Sequence, residues 1–127
     1  MTNAEIATVV AWHQALNAGD VSGLVARSSA DVEVGGPRGA GRGVPLLREW
    51  CGRAGIRLEP RHMFHRGSTV VVEQDAEWRA PDSGDVTGRQ VLASVFRVAD
   101  GRVTSIIRFP DLASALAATG LTVADRV

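Results

Sequence analysis

Four sets of side chains in this sequence are of types that do chemistry. His13, His62 and His65 are its proton carriers near neutral pH. Glu73, Asp75 and Glu77 form an alternating run of carboxylates. Arg38 and Arg42 sit in the glycine tract Gly35 to Gly43, just ahead of Pro45, and Cys51 is the one thiol. Lysine and tyrosine are absent, which excludes Schiff-base chemistry and a tyrosine proton donor.

Each set implies a different chemistry. A metal ion needs ligands that converge, whereas the odd separation of His62 and His65 on a strand sends them to opposite faces, so no metal site is expected. His62 alternates with Leu58 and Phe64. That places it inside, either as the candidate catalytic base or as a core histidine with satisfied hydrogen bonds. His13 falls in the apolar stripe of a helix and carries the core reading. Glu73, Asp75 and Glu77 alternate opposite Trp78, which makes them a solvated or interface face rather than a catalytic cluster. The glycine tract precedes a helix and suits an anion there, but it lacks the Walker spacing and the dinucleotide fingerprint, so it reads as a flexible pocket rim. Cys51 reads as a small buried hydrophobe, since a lone cysteine forms no internal disulfide and fits a reducing compartment.

The elements that must position these groups follow from the rest of the chain. Its 127 residues are 45% hydrophobic and 22% charged, which fits one folded domain spanning 1–127. Fourteen basic residues balance fourteen acidic ones, so no field gathers nucleic acid or a membrane surface. The apolar run Ile6 to Trp12 is too short for a signal peptide or a span, and the expected location is cytoplasmic. No motif calls for a cofactor.

Apolar spacing predicts a helix from Asn3 to Asn17 ending at Gly19, a second from Val21 to Ser28 capped by Asp20, and a third from Pro45 to Arg53. A brief strand, Val32 to Val34, separates the last two. Four strands follow at Arg57 to His65, Thr69 to Arg79, Val86 to Val98 and Arg102 to Phe109, joined by short turns that make them antiparallel. A last helix, Leu112 to Ala118, stops at Gly120 and leaves a loose tail. The fold class is α+β, with helices packed on one face of a curved antiparallel sheet.

The string Ala15-Leu16-Asn17-Ala18-Gly19-Asp20, with Ala30-Asp31-Val32-Glu33-Val34, Arg48-Glu49-Trp50 and the hairpin Val95 to Val103, resembles the nuclear transport factor 2-like superfamily. That is the cone-shaped fold of ketosteroid isomerases, SnoaL-like polyketide cyclases and limonene epoxide hydrolases. The resemblance covers nearly the whole chain. It implies that Trp12, Trp50 and Trp78 line the cone. It also implies that the isomerase's catalytic positions hold Trp12 in place of a tyrosine, Gly36 in place of the aspartate base and Ser94 in place of a protonated aspartate. Without those carboxylates the isomerase acid and base are missing, and the arginine with two aspartates of the epoxide hydrolases has no obvious match.

The expected function is therefore binding of a small hydrophobic molecule in a tryptophan-lined cavity. The alternative is an isomerase-like or cyclase-like enzyme that uses His62 or a bound water as base. Gln74 and Ser94 share the face of Val70, Val72, Ala76 and Trp78 and add polar handles, with Phe96 beside them. Arg108 is expected in the cavity next to Ser94, orienting an anionic or carbonyl oxygen; the competing arrangement pairs it with Asp111 at the cone mouth. The inward facing rests on a three-residue loop, Ala99-Asp100-Gly101, which pairs Val98 with Arg102 and sets Leu92 opposite Arg108, because a two-residue loop would pair Ala93 with Arg108 and send both outward. Val71, Val91, Ala93, Val95, Val103 and Ile107 form an outer apolar face that predicts a homodimer.

Overall fold

The computed structural model describes residues 4–36, 39–80 and 82–127, with the backbone alone for 51–54. The expectations that rest on Asn3, on Arg38 and on the Cys51 and Arg53 side chains lie outside the described residues. Helix α1 (Ala4–Asn17) buries Val9, Trp12, His13 and Leu16 along one stripe. In α2 (Val21–Ala26) the Asp20 carboxylate accepts from the Gly23 N–H at 2.9 Å. Ser28, expected in that helix, already belongs to β1 (Ser28–Gly36), which is followed by β2 (Gly39–Arg42) and α3 (Val44–Ala54). Gly55 closes α3 at φ 53°, a left-handed conformation, and a Cβ there would strike the Arg79 carbonyl.

Strands β3 (Ile56–Arg66), β4 (Thr69–Arg79), β5 (Val86–Ala99) and β6 (Arg102–Phe109) lie close to their expected bounds, and α4 (Leu112–Thr119) ends at Gly120. The six strands form one sheet in the order β2-β1-β6-β5-β4-β3. Neighbours are antiparallel except β1 and β6, which run parallel, so the sheet is mixed. No short turn ties β1 to β6 and enforces an antiparallel pair. Most of the described part of the glycine tract is strand: Gly39–Arg42 pairs back onto Glu33–Gly36.

Two bulges decide which side chains face the helices. Between Pro60 and His62, β3 carries one extra residue opposite β4, so Pro60 pairs with Gln74 while His62 pairs with Glu73. Leu58 therefore faces inward and Phe64 outward. In the β5–β6 hairpin Ala99 pairs with Arg102, leaving a two-residue turn with Asp100 at φ 52° and Gly101 at φ 73°, the primed geometry that matches strand twist. The three-residue loop is thus incorrect. A bulge at Thr104 then shifts the register, giving Arg97↔Ser105, Phe96↔Ile106 and Ser94↔Arg108. Arg108 lands on the inner face by a different route from the one expected.

The main core fills the space between α1, α2, α3 and the inner sheet face with Val9, Trp12, Leu24, Leu47, Leu58, Val72 and Phe96. Val103 belongs to this core, not to the outer face, because the Thr104 bulge lies between it and Ser105. A second cluster on the outer face packs Phe64, Val71, Ala93 and Val95 against Ala115 and Leu121. Helix α4 thus covers part of the face read as open, while Val91 stays 46% exposed. The tail is held rather than loose. Thr122 and Asp125 form a capping box, Arg66 binds Asp125 at 2.6 Å, and the Val127 N–H donates to the Met63 carbonyl at 2.9 Å. Among the described residues no helix is long and apolar enough to cross a membrane.

Candidate functional site

The β1–β2 hairpin, the first turns of α3, Leu58 of β3 and the inner ends of β5 and β6 line an open cavity of about 570 Å³. Its apolar wall is Val34, Leu46, Trp50, Leu58 and Ile106, its backbone wall is Gly35, Gly36 and Gly39, and its polar groups are Ser94 and Arg108. The glycines let the hairpin pass close to its neighbours: a Cβ on Gly41 would fall 2.6 Å from the Leu46 Cδ2. A second, smaller cavity of about 160 Å³ is lined by Trp78, Gln90, Leu92, Arg108, Phe109 and Pro110. Arg108 is shared by both.

The three tryptophans do not surround one cavity. Trp12 is fully buried, packed edge-on to Phe96 at 5.2 Å and stacked on Trp50 at 6.3 Å. Its indole N–H donates to the Ser28 hydroxyl at 3.2 Å, so it offers no donor to a ligand. Trp50 lines the larger cavity and Trp78 the smaller. Phe96 is core. Gln74 is fully buried behind Ser94 and reaches neither cavity wall.

Gln74 instead belongs to a relay. The His13 Nδ1 lies 2.8 Å from the Val9 carbonyl, the His13 Nε2 lies 2.8 Å from the Gln74 amide nitrogen, and the Ser94 hydroxyl donates to the Gln74 carbonyl at 2.8 Å. Burial pushes the His13 pKa down to about 4, outweighing the Val9 carbonyl, which raises it. His13 is therefore a neutral link in this chain. The relay escaped the sequence reading because it joins α1 to β4 and β5, which no local spacing connects.

His62 is corrected outright. The bulge turns it to the outer face, where its Nδ1 meets the Arg126 guanidinium at 2.8 Å and its Nε2 sits 3.9 Å from Glu73. It cannot reach the cavity as a base. Glu73, Asp75 and Glu77 do face outward, where Arg61, Arg79 and Arg89 meet them at 2.6–3.6 Å. Arg42 is drawn to Glu33 at 3.9 Å and away from any anion at the start of α3.

Arg108 makes no ion pair or hydrogen bond among the described residues. Asp111, its expected competitor, caps α4 instead, accepting from the Ser114 N–H at 2.8 Å, and that bond holds its carboxyl below the usual range. Among the described residues no three His, Cys, Asp or Glu side chains come together as a metal set.

Residues 9–106 match the SnoaL-like domain. No curated protein matches the chain. Among solved structures, an NTF2-like protein of unknown function from Cytophaga hutchinsonii is 16% identical, with a TM-score of 0.73 over 91% of this chain and 97% of that one. TerC, co-crystallised with polyporic acid, is 20% identical, with a TM-score of 0.74 and the same coverage, 91% and 97%. An LEH-like epoxide hydrolase from M. tuberculosis is 23% identical, with a TM-score of 0.71 over 87% of this chain and 80% of that one. These likenesses extend to the cone-shaped fold and its curved sheet.

Proposed function

The chain belongs to the SnoaL-like family, and from that premise we propose that it binds a small, largely apolar acid in the cavity under the β1–β2 hairpin, with Arg108 orienting an anionic or carbonyl oxygen. One observation carries this reading: among the described residues Arg108 is the only charged side chain on a wall whose one other polar side chain is Ser94, and it has no protein anion there to satisfy it. A half-buried guanidinium without a partner is costly, and an incoming carboxylate removes that cost through paired N–H···O bonds. The co-crystallisation of TerC, a neighbour of the same fold, with polyporic acid supports a small acid as the ligand class.

The wall carries no carboxylate, histidine or thiol among the described residues. With His62 outside, none of the described side chains is placed to abstract a proton, which favours binding over isomerase-like or epoxide-opening chemistry. Calorimetric titration of 2-naphthoate into the protein tests the reading. Saturable one-to-one binding is expected, weakened by roughly tenfold to a hundredfold in Arg108→Ala as charge-assisted hydrogen bonds are lost. Absence of saturable binding, or full affinity in Arg108→Ala, overturns it.

A further inference from the structure

Resting on that reading of the cavity, we infer that Ser94 offers ligands only hydrogen-bond acceptors. The site then selects a flat acid that carries an O–H or N–H donor at the far end of its ring system from the acid group.

The direction of every bond in the relay follows from its first member. The Val9 carbonyl can only accept, so the His13 Nδ1 carries the ring hydrogen. In the neutral ring the Nε2 is then a bare lone pair, which only the NH₂ end of Gln74 can fill. That orientation turns the Gln74 carbonyl to Ser94, and the carbonyl takes the hydroxyl hydrogen. Flipping the amide would set two acceptors against each other at His13 in a fully buried place. A hydroxyl has one hydrogen, and here it points away from the cavity. Its oxygen accepts nothing from the described residues, so its lone pairs are what Ser94 turns to the cavity it lines.

The spacing follows from the sheet. Ser94 and Arg108 are register partners across β5 and β6. Gly36 of β1 lies level with them on the far side of β6, because Gly35 pairs with Ile107. A Cβ on Gly36 would fall 3.8 Å from the Arg108 Nε, so the guanidinium leans over β1, away from β5. Acceptor and cation therefore sit two strand spacings apart, roughly 10 Å. A donor on the carbon next to the acid cannot reach both, whereas one across a two-ring system can. The surrounding faces of Trp50, Leu58 and Ile106 suit such a plate.

The test compares 6-hydroxy-2-naphthoate, 6-methoxy-2-naphthoate and 2-naphthoate by calorimetric titration. The wild-type protein is expected to bind the hydroxy acid at least about tenfold more tightly than either of the others, because only it pairs the Ser94 oxygen. Ser94→Ala reduces that preference to within about twofold, while Arg108→Ala weakens all three ligands. The wild-type comparison stands whether or not Ser94→Ala folds. Equal affinity for the three ligands, tighter binding of the methoxy acid, or a preference that survives in Ser94→Ala overturns the inference while Arg108-dependent binding keeps the ligand-site reading. Failure of all three to bind overturns both.

Discussion

Strand β4 holds two kinds of polar group back to back. Its inner face carries Gln74, fully buried and bonded on both sides by neutral groups. Its outer face carries Glu73, Asp75 and Glu77, which meet the arginines Arg61, Arg79 and Arg89 in solvent. The two faces are one residue apart in sequence and follow opposite rules. Inside, a charge would be costly to desolvate, so the polar groups are uncharged and every hydrogen is assigned. Outside, water screens each pair and side-chain freedom opposes it, so charges are tolerated in number while each contributes little.

The largest difference should appear on removing the inner group. Gln74→Ala opens a cavity and strands both the His13 ring nitrogen and the Ser94 hydroxyl, and should cost about 4 kcal/mol in urea unfolding. A loss near zero would mean that the relay is not a structural unit.

Acid should act next, through His13. Its pKa is held at about 4 in the folded protein against an ordinary 6.5, so between those values the unfolded chain binds more protons and stability rises with pH. The stabilising effect of the neutral ring is complete above about pH 6.5 and is lost as pH falls to about 4, by about 3 kcal/mol in total. His13→Asn should flatten the slope between pH 6.5 and 5, above the range where carboxylates dominate. A variant with an unchanged slope contradicts this assignment.

The smallest effect belongs to the outer face. Glu77, whose carboxyl Arg79 holds below the usual range, is half-buried at the sheet surface and shares its charge with the exposed Arg79 and Arg89. Glu77→Gln should leave the unfolding midpoint at neutral pH without measurable change. A clear loss would show the two faces to be less different than the geometry implies.

Local patterns were enough to place the helices and the four long strands, because Gly19, Asp20 and Gly120 mark helix ends and alternation marks the strands. Alternation could not reveal where it stops. His62 and Leu58 are an even number apart and read as one face until the bulge adds a residue between them. Thr104 carries no compositional sign of a bulge either. Arg108 was placed on the correct face only because an error in the turn and a missed bulge each shift the register by one in the same direction, so that Ser94 stands where Leu92 was expected, two residues away and on the same face. The parallel β1–β6 pairing, the β2 hairpin and the His13–Gln74–Ser94 relay join segments far apart in the chain, and no spacing rule within one segment can express them. For the site, Trp50, Ser94 and Arg108 were legible; the glycine wall was read as a rim, and the ring of three tryptophans was not there to be found.

The Thr104 bulge also makes the cavity's charge depend on how β6 is threaded past β5. Deleting Thr104 would leave Ser105 opposite Arg97 and Arg108 opposite Ser94, so the guanidinium would stay on the cavity side. Flattening the bulge with no residue removed would instead continue the plain two-residue hairpin register, set Ala93 opposite Arg108 and carry the guanidinium to the other side of the sheet. One surplus residue in β6 is thus what separates a charged interior from a charged exterior.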